Sequence, residues 1–491
     1  LIPMTIGIFL CAMDGTIVVS AYAAIGSELN QLHNTSWIAT AYMLTTTSFQ
    51  PLYGKLSDIF GRKSCLLFAY TIFAIGCLGC GLARNMNELI MSRAFAGIGG
   101  GGMQTLVSII VSDVVPLRSR GTWQGILNII WTMGSASGAP LGGLLADSVG
   151  WRWAFLLQFP LTLMAIASVS FGLHLPKSGP SDFSTKLKRV DFAGSLALII
   201  TVFSLLFGLD HGGNISWSDS VTMLSFSSFA LFFILFGAIE LRIASEPFAP
   251  KRIIFNRSLI AGYLVNFFGI AAGMNLIFHV SLYLQAVHGN TAAEAGLWLV
   301  LCVVGGLLGS LSGGLVIQIT GKFYLITIFG YGSQFLATGL FKLSTRAALG
   351  TMLLFAVALF ISSVGNGSGI TTSLIALIAN AGPEDQAIAT AVSYLFRSLG
   401  SVVGVSVGST IVQEVLRTDL RRRLSGENVE EIILHVRESL DYINKLEPVT
   451  RVVVRAAYLE AVQATFTFTV GMASLAFLSS IFIKETALTR R

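Results

Sequence analysis

Apolar residues run through this chain in blocks of about twenty, the length a helix needs to cross a hydrocarbon layer of roughly 30 Å. Between the blocks lie short stretches that collect charges, prolines and turn residues. Breaking the sequence there predicts fourteen helices near 2–26, 36–55, 64–83, 87–112, 121–146, 152–175, 191–209, 221–241, 258–285, 292–320, 323–342, 348–378, 386–412 and 458–483. A membrane barrel would instead show segments of about ten residues with alternating apolar positions. The expectation is an all-α polytopic membrane protein with fourteen transmembrane helices.

Composition narrows the function classes. Hydrophobic residues make up 54% of 491 positions and charged residues 11%, with a mean hydropathy of +0.75, values foreign to a soluble domain. The chain opens at Leu1 inside an apolar block, so an N-terminal tail is expected to precede it. All five cysteines (Cys11, Cys65, Cys77, Cys80, Cys302) fall in or beside predicted spans, which suits membrane-buried thiols. Cys77 and Cys80 form a CxxC without a second ligand pair, so neither a metal nor a cofactor is expected. The net charge of +6 comes from bases scattered through loops, which reads as a topology signal and not as a nucleic-acid surface.

The loops on the N-terminal side carry Lys55, Arg62, Lys63, Arg118, Arg120, Lys177, Lys186, Lys188, Arg189, Arg242, Lys251, Arg252, Arg257 and Lys322, with Lys484, Arg490 and Arg491 in the tail. The opposite short loops carry only Arg84, Arg152, Lys342 and Arg346. Both termini are therefore expected in the cytoplasm. The long segment 414–457, with Arg421, Arg422 and Arg423, is of mixed charge and reads as a lumenal or extracellular amphipathic helix near the membrane. An internal repeat is also visible: Gly314 precedes Gly321-Lys322 by the spacing that separates Gly54 from Gly61-Arg62. Gln318 stands in the second copy where Asp58 stands in the first. The repeat implies two related six-helix halves, 1–175 and 258–491, flanking a linker region 176–257 with two inserted helices, a 6+2+6 arrangement.

Gly54, Asp58, Gly61, Arg62 and Lys63 fall in the pattern G-x-x-x-D-x-x-G-R-K. This resembles the signature loop of the major facilitator superfamily, which implies that Asp58 contacts a helix end of the opposite half and forms a cytoplasmic gate. The bland alternative is a positive-inside anchor with a turn glycine. Arg93, followed by Gly97, Gly99, Gly100, Gly101 and Gly102, resembles the family's fourth-helix motif, associated with proton coupling, with Ala96 where Gln is usual. Gly134, Gly138, Pro140, Gly142 and Gly143 resemble its antiporter motif, a helix-packing kink, with Ala139 splitting the usual Gly-Pro pair. Met13 to Val18, Asp191 to Gly194 and Phe396 to Gly400 resemble motifs of the fourteen-span drug:proton antiporter branch. Within it, Gly138 to Pro160 and Gly208 to Trp217 are most similar to the fungal vacuolar basic amino acid transporters. No GxxxxGK[ST] occurs to suggest ATP as the energy source.

An ionisable group deep in a span costs about 2.5–3.5 kcal/mol on insertion scales, so each is expected to face a cavity or a partner. Asp14, Arg93 and Arg397 are the candidates: Asp14 and Arg93 for proton coupling, and Asp14, Asn128, Trp131, Gln158, Asn275, His279 and Arg397 for the substrate. A permanent Asp14 to Arg ion pair is the structural alternative, and a buried His is often only a hydrogen bonder. The expected function is alternating-access antiport of small organic solutes against protons, with basic amino acids carried into the vacuole by a monomer in the lipid bilayer. The alternatives are a multidrug or siderophore:proton antiporter at the plasma membrane, or a non-transporting nutrient sensor. No nucleophile and base pair supports an enzyme.

Overall fold

The structure is a computed structural model that describes residues 2–18, 36–117, 119–173, 190–214, 217–242, 256–290, 292–346, 352–382, 384–424, 429–438 and 446–486, with isolated positions 21, 25, 28, 29, 175, 442 and 443. Most of the linker 176–257 outside its two helices, and the bases Arg118, Lys177, Lys186, Lys188, Arg189, Lys251, Arg252, Arg490 and Arg491, lie outside the described residues.

The helices are α1 (Ile2–Ile17), α2 (Ser36–Phe60), α3 (Arg62–Leu82), α4 (Met86–Val114), α5 (Arg120–Ser148), α6 (Arg152–Leu156), α7 (Gln158–Gly172), α8 (Phe192–Asn214), α9 (Ser220–Arg242), α10 (Arg257–Ala286), α11 (Ala292–Thr320), α12 (Tyr324–Arg346), α13 (Met352–Ala381), α14 (Gln386–Arg423), α15 (Val429–Glu438) and α16 (Pro448–Ser480). Each predicted span falls on a helix, the sixth being split into α6 and α7. Ten of the described helices are long and apolar enough to cross a membrane. The protein is an all-α, multi-pass membrane protein.

Local signals mark the helix ends. Asn85 caps α4 by accepting from Glu88 N at 2.9 Å, while Asn85 Nδ2 donates to the Glu88 carboxylate, a reciprocal cap that satisfies free N-terminal donors. The two glycines of the sequence repeat both break helices: Gly61 between α2 and α3 at φ 93°, and Gly321 after α11 at φ 71°. A side chain there would be strained.

Packing follows one scheme twice. In the first set α2 and α3 pack on α4, α1 on α5, and α1 and α3 on α7. In the last set α11 and α12 pack on α13, α10 on α14, and α10 and α12 on α16. The inserted helices α8 and α9 pair with each other, and α8 lies against both α2 and α14, sharing an apolar cluster of Leu44, Leu52, Leu198, Val202, Leu206 and Leu395.

The segment 414–457 departs from expectation. α14 continues to Arg423 and α16 begins at Pro448. Val412, Leu416 and Leu420, one helical face, are buried with Ile433 and Val436 of α15 and Val454 of α16. The Tyr458 hydroxyl donates to Val436 O at 2.8 Å. The short helix α15 inside the segment packs Ile433 and Val436 on these helical extensions of α14 and α16.

Glycines set how closely the helices approach. A Cβ on Gly97 would lie 2.4 Å from Tyr42 O, and one on Gly101 2.5 Å from Thr46 O, so α2 and α4 touch backbone to backbone. Gly101→Ala is expected to destabilise the protein by about 1–3 kcal/mol through overpacking, whereas Gly15→Ala, with nothing within 4 Å of its Cβ position, gains about 0.5–1 kcal/mol of helix propensity. Thermal unfolding in detergent should lower the midpoint for the first and raise it for the second.

Candidate functional site

Three side chains expected to act in coupling or binding meet inside the first set of helices, α1 to α7. Asp14 of α1, Arg93 of α4 and Gln158 of α7 are all 0% exposed. Arg93 Nη1 donates to Asp14 Oδ2 at 2.5 Å, and Gln158 Nε2 donates to Asp14 Oδ1 at 3.0 Å. Arg93 Nε donates to Ile38 O at 3.1 Å, and its guanidinium lies 4.3 Å from the Tyr42 ring centroid. The Tyr42 hydroxyl and Cys11 Sγ are 3.3 Å apart beside it. Two opposite charges that neither water nor lipid could solvate here are satisfied by each other and by neutral dipoles. Gln158 Oε1 remains without a hydrogen-bond partner among the described residues.

Asn275 and His279 lie elsewhere, between α10, α14 and α16 of the last set. Asn275 Nδ2 donates to Thr469 Oγ1 at 2.6 Å, and His279 Nδ1 is 2.9 Å from Asn275 O one turn back. A Cβ on Gly408 of α14 would collide with both side chains. The i, i+4 pair does share a face, but that face is filled by α14 and α16.

A polar seam joins the two sets. Asn128 Nδ2 donates to Ser310 Oγ at 2.7 Å, and Ser310 meets Thr371 at 2.7 Å. Gln50 bonds Gln104 at 3.2 Å and accepts from Ser398 Oγ at 3.1 Å, while Gln124 reaches the Tyr394 hydroxyl at 3.5 Å. Arg397 lies over the Tyr394 ring at 4.9 Å, with a buried Nη1 that has no acceptor among the described residues. Trp131 is 42% exposed on α5. Sequence reasoning missed Gln50, Gln104, Gln124, Ser310, Thr371 and Tyr394. Their signal was polarity inside spans, which also leaves α2 and α5 outside the ten strongly apolar helices.

The two copies of the repeat hold the seam at one end of the bundle. A Cβ on Gly54 would lie 2.8 Å from Ala391 Cβ of α14, and one on Gly121 2.9 Å from Gly314 Cα. Arg120 Nη1 donates to Gln386 Oε1 at 3.1 Å, and Thr122 Oγ1 donates to Gln318 Oε1 at 2.6 Å. The charged residues of the motif pair nearer home: Arg62 reaches Asp58 at 2.6 Å and Asp113 at 2.8 Å, and Lys63 Nζ donates to Ser170 O and Leu173 O at the end of α7, both at 2.8 Å. Asp58 thus meets its own half in this conformation, and the glycines, Arg120 and Gln318 meet the other.

The antiporter-like stretch packs α5 on α1. Cβ atoms on Gly134 and Gly138 would lie 2.4 Å from Phe9 O and 2.5 Å from Met13 O, and Thr16 Oγ1 donates to Ser135 O at 2.8 Å. Gly142 continues the buried row, Gly143 is half-buried beside it, and Pro140 sits on the exposed face within a continuous helix.

The sequence profile described as Major Facilitator Superfamily matches residues 4–405. The vacuolar membrane amino acid uptake transporter fnx2 of Schizosaccharomyces pombe is 40% identical over 98% of this chain and 83% of its own length. The multidrug resistance protein fnx1 of the same yeast is 36% identical over 98% of this chain and 91% of its own. Among solved structures, the human organic anion transporter MFSD10 aligns at a TM-score of 0.65 and 15% identity over 97% of this chain and 98% of its own, a likeness of fold.

The ion pair supplies a stability test. Asp14→Asn or Arg93→Gln alone leaves one buried charge without its partner and is expected to cost about 3–5 kcal/mol, with the double variant recovering most of that loss. Thermal unfolding of the four proteins in one detergent gives the cycle.

Proposed function

The chain belongs to the Major Facilitator Superfamily, and from that premise we propose that it is a proton-coupled antiporter moving basic amino acids into the vacuole by alternating access. It is a secondary transporter, not an enzyme, and an integral multi-pass membrane protein. The observation that carries the coupling is Asp14, a carboxylate sealed inside one half and held by Arg93 and Gln158. Protonation of Asp14 would remove the charge that holds Arg93, so the pair can exist in two arrangements, and a difference between them is what coupling requires.

Arg93 is committed to Asp14, so the cargo's carboxylate falls to Arg397, whose Nη1 lacks an acceptor at the seam. Asn128 of α5 borders the same seam from the first half, with Trp131 about one turn further along α5 and 42% exposed, and Asn275 and His279 support α14 from behind. The recurrent packing scheme supports fourteen spans arranged 6+2+6, and the working unit in this reading is a monomer. The end of the seam held by Gly54, Gly121, Gly314 and Gln386 is the closed cytoplasmic gate, both termini lie on that side, and Asp58 exchanges partners as it opens. An acidic lumen would supply about 1.4 kcal/mol per proton for each pH unit. The 36% identity to a multidrug resistance protein favours the second reading, a multidrug antiporter.

Reconstituted vesicles with an acidic interior should accumulate radiolabelled arginine. Asp14→Asn is expected to abolish the dependence on the pH gradient; unchanged pH dependence would remove Asp14 from coupling. Arg397→Gln should raise KM for arginine at least tenfold while leaving proton leak unchanged, and drug competition stronger than lysine competition would favour the multidrug reading. Cross-linking Thr122→Cys to Gln318→Cys should stop uptake and a reductant should restore it, because opening must part this pair.

A further inference from the structure

Beyond the transport pathway, the residues after α16 build a second site. They turn back across the ends of three helices of the last set. Lys484 N donates to Ser258 Oγ at 3.1 Å, and Asn380 Nδ2 donates to Lys484 O at 3.1 Å. Thr486 Oγ1 donates to Asn380 Oδ1 at 3.0 Å. The Glu485 carboxylate accepts from Phe323 N at 3.1 Å and Tyr324 N at 2.8 Å, where the N-terminal dipole of α12 also offsets its charge. Between this strap, the start of α10 and the end of α13 lies a cavity of about 550 Å³.

A census of the polar groups lining it leaves two cations over. Asn256 Oδ1 is used by Ser258 N and Leu259 N, and Asn380, Ser258, Glu485 and Thr486 are used within the strap. The Arg257 guanidinium carbon lies over the Phe482 ring, 4.7 Å from its centroid, and neither Arg257 nor Lys484 pairs with a carboxylate among the described residues. Beside the cations, Phe482 and Ile481 are 50% and 43% exposed. The cavity sits at helix ends, away from the polar seam, on the side of the bundle that carries Gly61, Gly121 and Gly321.

We propose that this cavity binds the phosphate headgroup of an anionic phospholipid. The planar guanidinium of Arg257 can take two phosphate oxygens and the Lys484 ammonium a third, a pairing suited to a basic pocket between helices at the membrane edge. The exposed aromatic and aliphatic side chains at the same level meet the start of an acyl chain. A soluble phosphate compound shares the headgroup chemistry but leaves Ile481 and Phe482 uncovered.

Full-length protein in detergent, loaded with equal amounts of phosphatidylinositol 4-phosphate and phosphatidylcholine and read by native mass spectrometry, tests the site. The native chain should retain the anionic lipid at least tenfold over the neutral one, and Arg257→Gln with Lys484→Gln should remove that preference while phosphatidylcholine retention stays the same. Arg257→Lys, which keeps the charge but loses the fork, should give an intermediate preference; it and Lys484→Gln alone serve if the double variant does not fold. Equal preference in the native chain and a folded Gln variant overturns the proposal. Displacement of the lipid by inositol 1,4-bisphosphate at equal concentration would assign the cavity to a soluble phosphate and overturn the lipid assignment.

Discussion

Lipid chains compete with side chains for the outside of every helix, so helices in a bilayer gain little from hydrophobic burial against one another and associate where their backbones approach closely. In this protein that approach is made by glycines in rows. Gly97 and Gly101 seat α4 on α2, and Gly134 and Gly138 seat α5 on α1. Gly54, Gly121 and Gly314 bring the first and last sets of helices together at one end. The Asp14 cluster lies between helices seated by the first two pairs, and the polar seam runs from the last three contacts.

Close backbone contact also explains how the bundle carries charge. Asp14 and Arg93 can be buried with 0% exposure only because α1, α4 and α7 come near enough for a guanidinium to reach a carboxylate and an amide to reach its other oxygen. The seam uses a different solution. There most of the bonds join neutral amides and hydroxyls, which can be remade at modest cost, whereas the Asp14–Arg93 pair lies wholly within the first set of helices.

Much of this was legible beforehand, for identifiable reasons. Helix positions follow from hydrophobic block length, which depends on the bilayer and not on neighbours. The repeat centred on Gly61 and Gly321 was readable because left-handed backbone demands glycine, and both positions prove to have positive φ. Asp14, Arg93 and Gln158 could be singled out because a polar group in a span must be answered. What answers it was not legible: Asn275 meets Thr465 and Thr469, almost two hundred residues away, and His279 meets the carbonyl of Asn275 itself.

The amino-acid order by itself determined an all-α membrane bundle, its repeat, its turn glycines and the short list of polar residues that need partners, because each rests on local geometry or on the cost of dehydrating a charge. Tertiary structure alone decided the pairing: Arg93 to Asp14, Asn128 to Ser310, Arg62 to Asp58 within one half, and Arg257 with Lys484 around an open cavity. Those choices depend on which helix faces meet, and facing is set by the sum of many weak backbone contacts, which no single stretch of sequence encodes.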